Sequence, residues 1–95
     1  MRQASRRDEN EREIIDIFRA YGWTVYQISA EDFPDLVCGH HGINVLVEVI
    51  GKAKLAKYPP HGLSPGQWEF HRDWPGPIFA VRSAAEAHEI ARMDY

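Results

Sequence analysis

The segment Ile43–Ile50 constrains the fold more than any other part of this chain. Successive side chains of a strand point to opposite faces, so three alternating valines share one face while Leu46, Glu48 and Ile50 share the other. Both faces are mainly apolar, which is typical of a central strand covered on both sides. Glu48 is the one charge in this run, and a charged side chain is rarely buried without a partner. The segment therefore predicts a central strand whose carboxylate needs a partner.

The other segments predict elements around this strand. Apolar residues at helical spacing predict a helix from about Asp8 to Tyr21, and Trp23–Ile28 has the composition of a strand. Asp35–His40 predicts a strand that joins the central one through a tight turn at His41-Gly42. The remaining predictions are a loop over Gly51–Gly62, a helix from Ser64 to about Trp74, a strand at Ile78–Arg82 and a helix from Ser83 to about Arg92. The predicted order is α-β-β-β-α-β-α, an α/β fold.

Length and composition predict one domain over residues 1–95. The chain has 44% hydrophobic and 26% charged residues, which are ordinary values for a globular protein. No apolar run approaches ~18 residues, so we expect no membrane span. The basic N-terminus lacks the apolar stretch of a secretory signal. The single cysteine, Cys38, fits a reducing compartment, so a cytoplasmic location is predicted.

Two acidic residues lie at the ends of neighbouring apolar runs. Asp35 follows Pro34, and Glu48 comes thirteen residues later. Adjacent strands place such side chains side by side, and Mg²⁺ usually binds through one or two carboxylates plus water and substrate phosphate. The pair therefore predicts a site for Mg²⁺ or Mn²⁺, where the bound ion would activate a water against a phosphodiester. The alternative is a pair of exposed acids at strand ends.

Two further polar residues each have two interpretations. Glu11 on the first helix could approach the carboxylate pair, or it could form a capping box with Asp8. Gln67 lies in the first turn of its helix, where a ligand could meet free backbone N–H groups. Its alternative role is the side-chain half of a capping box with Ser64.

Charge and aromatic residues add weaker signals. The net charge of −3 argues against a generic polyanion binder, but basic residues cluster locally and could serve a phosphate backbone. These clusters are Arg2, Arg6 and Arg7, and Lys52, Lys54 and Lys57. The five histidines show no zinc spacing and are expected to be solvated or partly packed. Near-helical spacing predicts core positions for Trp68, Phe70 and Trp74.

Read together, these motifs resemble the PD-(D/E)XK nuclease superfamily, and within it the small viral-type replication–repair nucleases called VRR-NUC. The resemblance covers nearly the whole chain. Its segments are Asn10-Glu11, Pro34-Asp35-Leu36-Val37, Glu48-Val49, Leu63–Gln67 and Ile78–Ser83. It implies a single VRR-NUC-like domain over residues 1–95, with a restriction-endonuclease-like mixed β-sheet flanked by helices.

The resemblance also implies an activity and residue roles. It implies a metal-dependent deoxyribonuclease that cuts branched or structured DNA, in DNA repair or in a phage-infected bacterial cell, and dimerisation is frequent in such families. Carried over by position, the metal ligands are Asp35, Glu48 and Glu11, and Gln67 lies near the site. The predicted phosphate contacts are Lys52, Lys54, Lys57, Arg6 and Arg7.

Ile50 departs from the family pattern, which places a lysine two residues after the glutamate. Losing one preorganised electrostatic group typically costs on the order of 10²–10³ in rate. Three accounts are open. Lys52 replaces the lysine if the strand stays extended past Gly51, the protein binds structured DNA without cutting it, or the residue was changed deliberately. An inactive DNA-binding module is therefore the first alternative function, and a protein-interaction domain, favoured by the net negative charge, is the second.

Overall fold

The computed structural model describes residues 9–93, and these residues form a four-stranded mixed sheet with helices packed on it. In chain order the elements are α1 (Glu9–Ala20), β1 (Thr24–Gln27), β2 (Leu36–His40), β3 (Ile43–Val49), α2 (Lys52–Lys57), α3 (Pro65–Asp73), β4 (Ile78–Val81) and α4 (Ala84–Ala91). The strands lie in the order β1-β2-β3-β4, antiparallel except for the parallel pair of β3 and β4. The predicted α/β class is confirmed at this level.

β3 is an interior strand, as its sequence predicts. It pairs with β2 on one side and with β4 on the other. Val45, Val47 and Val49 are at most 1% exposed and belong to the main core. Leu46 and Glu48, on the opposite face, are buried as well. The prediction that both faces of this strand are covered is therefore confirmed.

The main core lies between the sheet and the helix pair α1 and α4. α1 contributes its apolar stripe, in which Ile14 and Phe18 are fully buried. Trp23 packs edge-on against Phe18 with ring centroids 5.8 Å apart, and its Nε1–H donates to the carbonyl of Ala91 at 2.8 Å. Each fully buried side chain of this size contributes roughly 1.5–3 kcal/mol. The sheet thus has one strongly apolar face, which leaves the face with Glu48 for polar chemistry.

The segment Gly51–Gly62, predicted as a loop, contains the helix α2. The prediction was wrong because the six residues from Lys52 to Lys57 are lysine, alanine and leucine, which all favour helix. The order of elements is therefore α-β-β-β-α-α-β-α, not α-β-β-β-α-β-α. β3 ends at Val49, so the account in which an extended strand brings Lys52 beside Glu48 is also wrong.

The aromatic residues of α3 are not core residues, contrary to the prediction from their spacing. Trp68 is 47% exposed and Trp74 is 39% exposed. α3 has no buried residue, because it packs on the sheet through the polar side chains of Gln67 and His71. Helical spacing identifies which residues share a face of the helix. Whether that face is buried depends on the side chains of the sheet that it packs against.

The boundaries of the other elements differ from the predictions by at most one residue. Tyr21 lies just after α1 and is exposed. Asp8, predicted to form a capping box with Glu11, lies outside the described residues. The Ser64 and Ser83 side chains both cap their helices as predicted. Among the described helices, none has the length and apolar character needed to cross a bilayer.

Candidate functional site

The antiparallel pairing of β2 and β3 places Asp35 and Glu48 side by side. Leu36 lies opposite Val47, so one further step of the same register puts Asp35 opposite Glu48. The Cβ atoms of directly opposed residues are about 4.5–5.5 Å apart. Asp35 Oδ2 accepts the backbone N–H of Val49 at 2.8 Å, which ties this carboxyl to the end of β3. The structure therefore brings the two acids together at one end of the sheet.

The environment of the pair disfavours two negative charges. Glu48 is 0% exposed and Asp35 is partly buried. Burial, then the charge of Glu48, and more weakly that of Glu11, raise the pKa of Asp35 from 3.8 to about 7. The N–H of Val49 acts in the opposite direction, and a hydrogen bond between the two carboxyl groups raises the pKa further. This environment therefore favours binding of a proton or a cation at Asp35.

The chemistry of this pair fits a hard divalent cation. Both side chains present oxygen donors, the ligand type that Mg²⁺ and Mn²⁺ prefer. A cation beside Asp35 would offset the charge of Glu48, which after burial is the next cause of the raised pKa of Asp35. Mg²⁺ commonly takes one or two carboxylates and completes its shell with water and phosphate oxygens. Asp35 and Glu48 are therefore the residues that could hold a metal.

Glu48 is hydrogen-bonded to two helices in the described part of the chain. Its Oε2 accepts from Lys54 Nζ at 3.2 Å and from Gln67 Nε2 at 3.1 Å. Its Oε1 accepts from His71 Nε2 at 3.4 Å, and a carboxylate can only accept, so this nitrogen carries the proton. These three side chains donate to the buried Glu48 carboxylate, which needs hydrogen-bond donors because it lies inside the sheet away from water.

Gln67 forms the predicted capping box and also contacts Glu48, while its role beside a ligand stays a prediction. Its Oε1 accepts the backbone N–H of Ser64 at 3.1 Å, while Ser64 Oγ accepts the N–H of Gln67 at 3.3 Å. This is a complete capping box at the start of α3. The remaining amide nitrogen of the same side chain donates to Glu48. The first turn of α3 is thus connected directly to the central carboxylate.

Glu11 lies near the pair from the other side of the sheet end. It is 3% exposed, and its Oε2 accepts from Gln27 Nε2 at 2.9 Å. Its charge contributes to the raised pKa of Asp35. Within residues 9–93 no three His, Cys, Asp or Glu side chains converge as a metal-holding group. The role of Glu11 as a third ligand therefore stays a prediction.

Ile50 occupies the motif lysine position and is fully buried. It packs so closely on Gly62 that a Cβ at that glycine would overlap with Ile50 Cγ2. Gly62 has a φ of +83°, a conformation that L side chains rarely adopt. Ile50 thus packs against the segment after α2, and the amine that contacts Glu48 belongs to Lys54.

The remaining predicted cations occupy different positions. Lys52 is exposed at the start of α2. Lys57 is exposed at its end, with its Nζ 5.4 Å from the ring centroid of Tyr58. Arg6 and Arg7 lie outside the described residues. Lys54 is therefore the predicted phosphate contact whose amine the structure places on the carboxylate site.

Two site residues received no such role from the sequence. Lys54 contacts Glu48 because it lies on α2, which follows the end of β3. The sequence signal for this helix was the high helix propensity of Lys52–Lys57. His71 was expected to be solvated or partly packed, yet it donates to Glu48. It lies four residues after Gln67, the spacing at which helical residues share a face. That spacing could have identified it once Gln67 was assigned to the site.

Comparison with known proteins adds nothing to this geometry. No family model matches the chain, and no curated protein matches it. The function is therefore inferred from the site itself, which consists of two apposed carboxyl groups with an ammonium, an amide and an imidazole on one of them.

Proposed function

We propose that this protein is a divalent-metal-dependent DNA endonuclease of the PD-(D/E)XK type, related to VRR-NUC nucleases, that hydrolyses phosphodiester bonds in branched or structured DNA. The observation that carries the proposal is the apposition of Asp35 and Glu48 at the end of the sheet, with the ammonium of Lys54 on Glu48. A mixed sheet with helices is compatible with the restriction-endonuclease-like fold, which forms part of the proposal.

Asp35 and Glu48 would hold Mg²⁺ or Mn²⁺ through their oxygens. Bound there, the ion supplies positive charge facing the scissile phosphate and lowers the pKa of a coordinated water. Gln67 and His71 each donate to one oxygen of Glu48, so they restrict the rotation of its carboxylate. Glu11 supports Asp35 from α1. These residues prepare an oxygen-lined position before substrate arrives, which reduces the reorganisation that the reaction requires.

In this proposal, Lys54 takes the role of the catalytic lysine that such nucleases have at the position of Ile50. Its Nζ is 3.2 Å from Glu48 Oε2 and its side chain is one-quarter exposed, so the amine lies at the boundary between the carboxylates and solvent. From there it can donate to a phosphate oxygen or to the attacking water. The lysine therefore comes from a helix after the strand instead of from the strand itself.

Lys52 and Lys57, with Arg6 and Arg7, would contact phosphates around the site. Because the chain carries a net charge of −3, this basic surface is local, and binding is expected to weaken steeply with salt. The proposal includes the predicted homodimer and the predicted cytoplasmic location.

The test compares the lysines of α2 in cleavage of a forked DNA duplex with Mg²⁺ or Mn²⁺. Lys54→Met is expected to lower the saturated single-turnover rate on the order of 10²–10³-fold, because it removes a preorganised charge. Lys52→Met, the matched change on the same helix, should weaken DNA binding and leave that rate unchanged. Asp35→Asn and Glu48→Gln should abolish metal-dependent cleavage. Equal rate losses for the two lysine variants would remove Lys54 from the mechanism.

The second candidate function is a structured-DNA-binding module without nuclease activity. Ile50 at the motif position favours it, because the usual lysine is missing and Lys54 is already paired with Glu48. It predicts salt-dependent binding of the same fork and no cleavage of any duplex, flap or junction with either metal. Metal-dependent cleavage by the wild-type chain that is lost in Glu48→Gln would reject this candidate.

A further inference from the structure

An open groove of about 480 Å³ lies beside α3, on the flank next to Gln67. Trp68, His61, Tyr58 and Lys57 are among its lining residues. Its volume falls within the range of about 300–1,000 Å³ that is typical of small-ligand sites. The groove is lined by aromatic side chains together with the ammonium of Lys57. The catalytic roles proposed above do not involve these aromatic side chains.

Trp68 presents an open aromatic surface in this groove. It stacks on His61 with ring centroids 4.6 Å apart and an angle of 20° between the planes. Trp68 nevertheless remains 47% exposed, so the imidazole covers only part of the indole. A flat ring of another molecule can therefore extend the stack. Every nucleobase has such a π-face, and stacking on aromatic side chains is how proteins hold unpaired bases.

The groove and the carboxylate site are built from the same two helices, α2 and α3. Trp68 follows Gln67, whose amide contacts Glu48, and adjacent Cα atoms are about 3.8 Å apart. Lys57 follows Lys54 by three residues on α2, which places the two amines on neighbouring positions of one helix surface. A nucleotide with its base on Trp68 would have its phosphate near Lys57, and the chain could continue toward Lys54.

A second aromatic groove on α3 differs in charge. There Phe70 and Trp74 stack with centroids 5.3 Å apart, and Trp74 is also exposed. Its other lining residues include the acids Asp32, Glu69 and Asp73. Arg72 forms ion pairs with Glu69 and Asp73, and the three acids together with this one arginine still carry net negative charge. A polyanion is repelled from this acidic groove and attracted to the rim formed by Lys57. Electrostatics therefore selects the groove at Trp68 as the one for DNA.

We propose that the Trp68 groove binds an unpaired nucleobase by stacking, with Lys57 on the adjoining phosphate, and so directs the protein to junctions between single-stranded and duplex DNA. This inference rests on the proposed nuclease function for the position of the cut. The binding it describes requires no cleavage, so the two can fail separately.

The experiment measures binding of the full chain to a short oligothymidine and to a blunt duplex, in EDTA and at low salt. Trp68→Ala is expected to weaken oligothymidine binding between about 5-fold and about 150-fold, which corresponds to stacking of one base at ~1–3 kcal/mol. Trp68→Phe should retain most of the binding because a phenyl ring still stacks. Trp74→Ala, the matched exposed tryptophan of the acidic groove, should bind as the wild type does. Lys57→Ala should lower the salt slope by about 0.7.

Fluorescence provides a second measurement that does not depend on truncating Trp68. In Trp74→Phe the tryptophans left are Trp68 and the buried Trp23, so oligothymidine should quench the exposed emission. Unchanged oligothymidine binding in Trp68→Ala, equal losses in Trp68→Ala and Trp74→Ala, or no quenching in Trp74→Phe would each overturn the proposal.

The cleavage assay separates this inference from the nuclease proposal. Cleavage of a forked duplex that is indifferent to Trp68 would leave the nuclease standing and reject the groove. Binding that depends on Trp68, without cleavage in either metal, would support the groove and reject the nuclease. Wild-type cleavage of the fork that is faster than cleavage of the blunt duplex, with the difference lost in Trp68→Ala, would support both.

Discussion

At the scale of single residues, Glu48 is the centre of the site. It is 0% exposed, lies on the central strand and accepts hydrogen bonds from side chains of α2 and α3. A buried carboxylate that loses a donor pays a desolvation cost of about 1–3 kcal/mol or more, since its charge is left without compensation. Glu48 therefore needs hydrogen-bond donors or positive charge around it. Asp35 supplies neither when it is ionised, and the charge of Glu48 contributes to its raised pKa.

The raised pKa of Asp35 predicts a pH dependence of stability. Its value of about 7 in the folded protein lies above 3.8, so the folded state binds this proton more tightly than the unfolded state. The contribution of this group is fully present below pH 3.8 and is lost as pH rises through about 7. Urea unfolding in EDTA should therefore show Asp35→Asn gaining stability relative to wild type as pH increases over this window.

Two observations check the assignment of that pH dependence to Asp35. Mg²⁺ should raise the stability of the wild type at the upper end of the window, and Asp35→Asn should not show the gain. A difference in unfolding free energy between the two proteins that is constant from about pH 4 to about pH 8, a range that spans the raised pKa of Asp35, would contradict the assignment.

At the scale of elements, α3 distributes its side chains among three environments. Gln67 and His71 contact Glu48, Phe70 and Trp74 stack in the acidic groove, and Trp68 stacks on His61. The helix therefore joins the sheet through polar contacts, while its rings face two grooves of different charge. The capping box at the start of α3 is connected to the carboxylate site, because the Gln67 side chain belongs to both.

This shared role predicts unequal effects of capping variants on stability. Ser64→Ala should cost about 0.5–2 kcal/mol, the usual range for a lost N-cap side chain. Gln67→Ala removes its half of the same cap and also a donor to a fully buried carboxylate, so it should cost about 1–3 kcal/mol more than the loss of a cap alone. Ser83→Ala on α4 serves as the control for a cap outside the site. If urea unfolding finds all three losses equal, Gln67 has no energetic connection to Glu48.

At the scale of the whole molecule, the site lies where the sheet ends and the chain turns back over it. β3 ends at Val49, Ile50 remains buried against Gly62, and α2 then brings Lys54 to Glu48. The close packing of Ile50 on Gly62 requires an uncharged side chain at position 50. In the proposed nuclease, Lys54 of α2 therefore supplies the amine in place of a lysine at position 50.

This arrangement predicts that restoring the motif lysine is harmful to stability. Ile50→Lys places an ammonium in the packed position against Gly62 and should lower the unfolding free energy by roughly 2 kcal/mol or more relative to Ile50→Met. Ile50→Met controls for the change of shape, since volume-conserving apolar changes usually cost less than about 1.5 kcal/mol. Equal stability of the two variants in urea would show that the amine reaches the acid pair instead of remaining buried.

Local sequence was sufficient for several features of the fold. The period-two apolar pattern of β3 predicted a central strand, and the stripe of α1 predicted its buried face, because both are repeated over several residues. The cap signals at Ser64 and Ser83 predicted the starts of α3 and α4, since they act within one turn. Two predictions failed. The loop predicted over residues 51–62 contains α2, because the neighbouring glycines and prolines were given more weight than the helix propensity of Lys52–Lys57. The core positions predicted for Trp68 and Trp74 are exposed.

The sequence by itself determined that one carboxylate lies within the central strand, and it predicted a second acid at the end of the neighbouring strand. Only the tertiary structure decided which groups surround them. Lys54 and His71 reach Glu48 from elements six and twenty-three residues further along the chain. No local pattern encodes that convergence, because it depends on how α2 and α3 pack over the sheet. A periodic pattern specifies which face of an element is buried, whereas the partner across that face is chosen by the packing of the whole chain.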